Sequence, residues 1–220
     1  MIEWSHPARR SLLRQPATLA ALIWLLWAAA AAALAPVLAP AGPIATDPAR
    51  ALLPPGPGGA LGTDFLGRDV LARLVWGGRW TLQMGALGLV TALALGLPLG
   101  LAAGSLGGRA DAALMRLVDG LLAFPGLLLA MAAVAVLGAG PIPVATAVGL
   151  AAAPPYARLA RSVTLQARAQ PYIEATRALG GSRWRIALRH ILPNAAPALI
   201  AFAVTQLGWI CLLYTSDAAD

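Results

Sequence analysis

The chain has 220 residues, 59% hydrophobic and only 11% charged, with a mean hydropathy of +0.74. Too few charges are present to cover a soluble core of that size, so the composition places the chain in a membrane as an all-α, polytopic helical protein. All of its basic residues are arginine, and a Walker A loop needs a lysine on the β/γ-phosphates, so the chain cannot carry an ordinary ATP site.

Other function classes fall on similar grounds. The net charge of +7 does not mark nucleic acid, because the arginines cluster beside apolar runs as the positive-inside rule expects. Cys211 is the single cysteine, and His6 and His190 lie far apart. Neither a disulfide framework nor a zinc cluster is available within the chain. No HExxH, GxSxG or paired-carboxylate motif occurs, so no catalytic residue, metal ligand or cofactor is expected.

In chain order, Arg9, Arg10 and Arg14 precede an apolar run from Ala17 to about Leu38. That run is expected to be a first membrane helix with its N-terminus inside, and it is longer than the apolar core of a signal peptide. Pro36 to Pro57 is dense in Pro, Gly and Ala and reads as an extracytoplasmic connector. In the stretch 61–82, Thr63 or Asp64 can cap a short helix lying at the interface, and Asp69 can pair with Arg73 at i,i+4. Residues 82–103 form a second span in which Gly96, Gly100 and Gly104 repeat every four residues, the spacing that lets another helix approach closely. Intrachain packing is favoured over a subunit contact, and Pro98 is a candidate kink.

Arg109, Asp111, Arg116 and Asp119 follow at a membrane boundary, with Arg116 and Asp119 spaced for a salt bridge. A third span is expected over Leu117–Leu137 with Pro125 inside it, then a tight turn at Gly138–Pro141. A fourth runs from Pro143 to about Ala160, broken at Pro154–Pro155. The stretch 170–194 reads as an amphipathic elbow of two short helices. Pro171 starts the first, Glu174 sits in its first turn, Gly180–Gly181 stops it, and Ser182 caps the second. Tyr172, Ala175, Thr176 and Leu179 share one face and Glu174 pairs with Arg177 on another; in the second helix Trp184, Leu188 and Ile191 face one way. Each piece is about 15 Å long, too short for a hydrocarbon core of about 30 Å. A fifth span fits residues 195–213. Arginine is distributed as three, two and seven over the proposed inside segments against four outside, which puts the elbow inside.

The order of residues then adds a resemblance. Glu174-Ala175-Thr176, Gly180, and His190-Ile191-Leu192-Pro193 closely resemble the EAA loop of permease subunits of ABC importers, with Thr176 in place of the second Ala. The ending His-Ile-Leu-Pro-Asn is similar to the branch that handles dipeptides, oligopeptides and nickel. Gly62-Thr63-Asp64, Gly67-Arg68-Asp69, Arg73, Gly77, Arg79 and Leu82 resemble the segment before the second span in that branch, with Ala72 for the usual Ser. Arg158 and Arg161 also match. Pro154–Pro155 depart from it, standing where the family usually has Trp.

The resemblance covers about residues 10–210. It implies an organisation of 1–60 as tail, first helix and connector, and 61–210 as the importer transmembrane domain with about five of six spans. Residues 211–220 have no counterpart in the pattern and are expected to be a non-native tail. It also implies a subunit that forms half of a translocation pore. Its partners would be a second permease subunit, two ABC ATPase subunits and an extracytoplasmic substrate-binding protein, in the lipid bilayer of the inner membrane. Glu174, Ala175, Thr176 and Gly180 would make the contact with the ATPase, and His190, Leu192 and Pro193 would fix where the fifth span begins. Two rivals remain from the residues alone. A secondary transporter would put an ionisable residue mid-membrane, and none is found there. A scaffold binding anionic lipid through the elbow would tolerate Gly180→Ala and Glu174→Lys.

Overall fold

A computed structural model describes residues 16–56 and 59–217. The basic stretch holding Arg9, Arg10 and Arg14 lies outside the described residues, as do the last three positions. The described chain is helical with no strand, only two isolated bridges, Gly56 to Gly59 and Thr63 to Asp69. It divides into two compact units, one ending at Leu82 and the other beginning at Gln83.

In the first unit, helix α1 covers Pro16–Ala33. It is apolar all round, and Ile23, Trp24, Leu25, Leu26 and Trp27 are all exposed, as suits a helix surrounded by lipid. Trp24 and Trp27 stack with centroids 5.1 Å apart. A short helix α2, Ala35–Leu38, follows, with Pro36 suiting its first turn. Beyond it the connector is folded rather than loose. A 3₁₀ turn at Pro48–Arg50 and backbone bonds from Asp47 to Leu66, Leu52 to Asp64 and Thr63 to Leu53 tie it to the segment that leads into the next helix.

That helix, α3, runs without interruption from Val70 to Leu106, 37 residues. It therefore joins residues 70–82 of the segment expected to form a separate interfacial helix to the second span, while residues 61–69 are non-helical. Its length is about 55 Å, well beyond a hydrocarbon core of about 30 Å. In the second unit it is followed by α4 (Gly108–Leu122), α5 (Gly126–Leu137), α6 (Pro141–Arg168), α7 (Pro171–Ala178), α8 (Arg183–Ile186) and α9 (Leu192–Asp217).

Three further elements differ from the expectation. The third span is not straight, because α4 and α5 meet at 94°. Pro125 lacks an N–H and disfavours helical backbone at Phe124, so the helix ends there and restarts at Gly126. The fourth span is not broken at Pro154–Pro155, since α6 passes through both. The carbonyls freed there lie in a helix packed on both sides, with Ala152, Ala153 and Pro154 buried, a setting in which membrane helices tolerate proline. The fifth span does not start after Pro193. A single π turn, Ala187–Ile191, joins α8 to α9 without a break, and the wider turn gives Pro193 room in the hydrogen-bond ladder.

By length and apolarity α3 and the Arg183–Leu212 helix can each cross a membrane, and the bent α4–α5 pair makes a third candidate. The apolar part of α1, Thr18–Ala33, is shorter. Of the five spans expected, the fourth, α6, is long enough at 28 residues but carries four prolines and three arginines.

The second unit is built on the contact of α3 with α6. A Cβ added to Gly96 would come within 2.6 Å of Tyr156 Cβ, one on Gly100 within 2.6 Å of Ala160 Cβ, and one on Gly104 within 2.6 Å of Thr164 Cβ. Gly88 and Gly149 face each other two steps of four residues further along, past Ala92. The glycine repeat thus serves packing within the chain, backbone against backbone. Around it Ala92, Ala130, Val148, Ala152, Tyr156 and Ile210 form the buried core, and Phe202 meets Tyr156 edge-on at 4.9 Å. Gly100→Leu should destabilise the protein by about 2 kcal/mol or more through overpacking. Gly120→Ala, in α4 with nothing within 4 Å, should be neutral or slightly stabilising. Thermal unfolding of the two variants in the same detergent separates these outcomes.

Candidate functional site

The elbow is assembled on the Leu106 end of α3. Two residues, Ala169 and Gln170, separate α6 from α7, and Pro171 opens α7 where a missing N–H costs nothing. Helix α7 ends in a Schellman motif. Gly180 donates to the Arg177 carbonyl and Gly181 to the Thr176 carbonyl at 3.0 Å each, while Gly180 takes φ +84° with open space around it. Glycine is needed at that position for its backbone, not for contact. Ser182 then caps α8 through the Arg185 N–H.

Ile173, Ile186 and Ile191 are buried together with Leu101, against Leu97, Ala167 and Leu192. These are the anchors of the elbow, and they correct the faces inferred from spacing. Tyr172 and Leu179 are exposed, Leu179 at 89%, as are Trp184 at 53% and Leu188; of the second predicted face only Ile191 is buried. Glu174 and Arg177 are exposed too, and among the described residues no ion pair joins them. Counting i,i+3 and i,i+4 neighbours finds such faces but not which one turns inward, because the isoleucines and the larger Trp and Tyr are comparably apolar.

Other ties hold the elbow from behind. Arg168 Nη1 donates to the Gly104 carbonyl at 2.5 Å and Arg183 Nη1 to the Leu106 carbonyl at 3.5 Å, satisfying carbonyls that the last turn of α3 leaves free. Asn194 Nδ2 bridges the Tyr172 hydroxyl at 3.2 Å and the His190 carbonyl at 2.7 Å, linking α7 to α9. None of these links is visible as a motif. Of the predicted residues, Glu174 and Ala175 are exposed on α7, and Thr176 is half-buried with its hydroxyl donating to the Tyr172 carbonyl at 2.7 Å. The extra oxygen of Thr176 is therefore satisfied within its own helix. His190 lies in the π turn, Leu192 is half-buried beside the isoleucines, and Pro193 is exposed.

The second predicted group, in the first unit, forms a polar knot. Asp64 accepts from the Leu66 N–H at 2.9 Å, the Arg68 N–H at 3.0 Å, Arg68 Nε at 2.7 Å and Arg73 Nη1 at 2.8 Å. Arg73 thus pairs with Asp64, not Asp69. Asp69 instead caps α3 by accepting from Leu71 at 2.8 Å and Ala72 at 3.2 Å, taking the role expected of Thr63 or Asp64. Thr63 is buried, accepts from the Leu53 N–H and donates to the Arg50 carbonyl. Gly62 and Gly67 have φ of +79° and +73°, and a Cβ on either would strike the carbonyl of Leu53 or Asp47. Trp76 Nε1 donates to the Ala39 carbonyl at 3.0 Å and Arg79 Nη1 to the Ala33 carbonyl at 3.2 Å, closing the first unit.

Comparison with known proteins decides the lineage. The model of the family described as the binding-protein-dependent transport system inner membrane component matches residues 96–216. The chain belongs to that family. It is similar to a glutathione transport system permease protein of Pectobacterium atrosepticum, 41% identical over 155 residues, 70% of this chain and 52% of the relative. A probable D,D-dipeptide transport system permease protein of Escherichia coli is 38% identical over 178 residues, 81% of this chain and 60% of the relative. A di/tripeptide transport system permease protein of Pseudomonas aeruginosa is 38% identical over 205 residues, 90% and 68%. The chain spans 52% to 60% of the length of the first three relatives. As a member of this family it is a multi-pass inner-membrane protein, and its elbow lies inside the matched region.

Desolvation pushes the Asp64 carboxyl up, but the Arg68 N–H and guanidinium and the Leu66 N–H outweigh it and hold the pKa at about 2. A folded value below the unfolded one, about 4, stabilises the fold above pH 4 and loses that contribution as the pH falls from about 4 towards 2. Asp64→Asn should accordingly lower the unfolding temperature at pH 7, with the gap to the parent closing across that acid window in parallel melts.

Proposed function

We propose that the chain is a permease subunit of an ATP-driven ABC importer and forms half of a translocation pore for peptides or a similar small solute, nickel among them. Its partners in this reading are a second permease subunit, two ATPase subunits and an extracytoplasmic binding protein. The observation that carries it is the construction of the elbow. Ile173, Ile186 and Ile191 hold it from behind, while Glu174, Ala175, Tyr172, Leu179, Trp184 and Leu188 are left facing away from the core. A short rigid element with mixed acidic, small and apolar exposed residues suits seating in a groove of another protein better than lying on lipid headgroups.

Peptide cargo is supported by the names of the relatives, which are permeases of glutathione, D,D-dipeptide and di/tripeptide transport systems. The arginine distribution supports placing the N-terminus and the elbow on the cytoplasmic side. Closure of the ATPases would then push on α7. Because α7 is anchored to Leu97 and Leu101 of α3, the push would reach the membrane helices directly. Glu174 supplies charge at the contact, Ala175 and Thr176 allow close seating, and Gly180 makes the chain reversal.

The test is co-purification of the permease with the ATPase encoded beside it. Glu174→Lys and Gly180→Pro should each reduce retained ATPase at least about tenfold, roughly 1.4 kcal/mol of binding, with membrane insertion unchanged. An ATPase that ignores parent and variants alike would leave the elbow a lipid-facing loop.

A further inference from the structure

Helix α4 is built differently from its neighbours. It is capped by Gly107 and starts at Gly108, at φ +70° and +56°, two consecutive residues in a region that side chains avoid. It ends at the 94° break before Pro125. Both ends are therefore joints at which the helix direction can change without unwinding α3 or α5. Between them the helix is strongly two-sided, with Val118 buried and Arg109, Ala112, Arg116 and Leu117 on the outer side.

Two carboxylates fasten this helix to α6. Arg161 forks Asp111, Nε to Oδ1 at 2.5 Å and Nη2 to Oδ2 at 2.7 Å, and Arg158 Nη2 meets Asp119 Oδ1 at 2.7 Å. Spacing along the chain pairs Asp119 with Arg116 on the same helix; the structure sends it across to α6. Asp111 and Asp119 are eight residues apart, about 12 Å along α4. Fastening at two such points opposes both sliding and rotation of the helix about its axis. The inner pair is bidentate and the more shielded, with Asp111 at 14% exposure against 52% for Asp119, so it is the stronger and the less salt-sensitive of the two.

What the latch connects gives it a role. Towards one end α6 runs on to Arg168, and α7 starts three residues later. At the other end of α4, Leu121, Leu122 and Phe124 form one wall of a cavity of about 320 Å³, faced by Pro155 of α6 and by Gln206 and Trp209 of α9. We infer that Asp111 and Asp119 are positioning residues that make α4 a lever, carrying displacement of the elbow to the cavity wall at Leu121–Phe124. The lever itself follows from the joints and ion pairs; that its input comes from an ATPase rests on the permease reading above.

Two measurements separate those layers. In the full chain with Cys211→Ala, spin labels at Arg116→Cys in α4 and Gln166→Cys in α6 should give one narrow distance distribution. Asp111→Asn with Asp119→Asn should at least double its width, and the exchanged pair Asp111→Arg with Arg161→Asp should narrow it again. A distribution equally narrow after both neutralisations overturns the lever. In the transporter reconstituted with its ATPases and binding protein, the neutralised variant should retain the ATPases while binding-protein-stimulated ATP hydrolysis falls about tenfold. Full stimulation in that variant also overturns the inference. Failure of the parent chain to bind any ATPase sinks the permease reading instead, and leaves the label distances to decide the lever.

Discussion

Contact of α3 with α6 through glycine is the constraint on which the second unit depends. From Gly88 to Gly104 the two helices touch over about four turns with almost no side chain between them. In a bilayer, helices are not driven together by exclusion of water from their apolar faces, since lipid solvates those faces equally well. Close packing has to supply the attraction, through many small dispersion contacts that fall off within an ångström. That makes the interface intolerant of bulk, and it makes the pair behave as one stiff body. Everything else in the unit is attached to that body: the isoleucines of the elbow on Leu97 and Leu101, the core around Tyr156, and α4 through its ion pairs.

Arginine finishes what packing begins. Arg168 and Arg183 bring charge to the terminal carbonyls of α3, where the helix dipole is negative. Arg158 and Arg161 take up the two carboxylates of α4. A guanidinium suits both roles, being planar, always charged and able to donate in a fork. The abundance of arginine that marks membrane orientation in the sequence thus has a second, internal use. Four of the seven arginines between Arg158 and Arg189 are committed to contacts within the chain.

Much of this is legible from residues. The Gly96, Gly100, Gly104 spacing announces a close helix contact, and Gly180–Gly181 announces the stop of α7. What is not legible depends on distance in space. An aspartate near an arginine in sequence suggests a local pair, as with Asp69 and Arg73 or Arg116 and Asp119. Tertiary neighbours offer better geometry in both cases, Asp64 for Arg73 and Arg158 for Asp119. Proline is ambiguous for the same reason. Pro125 ends a helix whereas Pro154 and Pro155 do not, and the difference lies in whether a packed neighbour holds the backbone around the lost hydrogen bond. The connector before Gly62 looks structureless in sequence because its order comes from backbone bonds to a later segment, which composition does not record.

The knot around Asp64 shows why a motif need not be a contact site. Gly62-Thr63-Asp64 and Gly67-Arg68-Asp69 are occupied residue by residue within the fold. They supply two positive-φ turns, a buried hydroxyl joined to two backbone groups of the 50–53 segment, a carboxylate shared by two arginines, and a cap on α3. Such a group resists piecemeal change, since removing any one member leaves a shielded donor or acceptor without its partner. The elbow differs in kind. Its Ile173, Ile186 and Ile191 are buried, but Glu174 and Ala175 are exposed, among the described residues no ion pair engages Glu174, and Gly180 serves only the chain reversal. A motif whose residues are used up internally is explained by folding. One whose residues are held rigidly and left unused asks for a partner, and that contrast separates the two motifs of this chain.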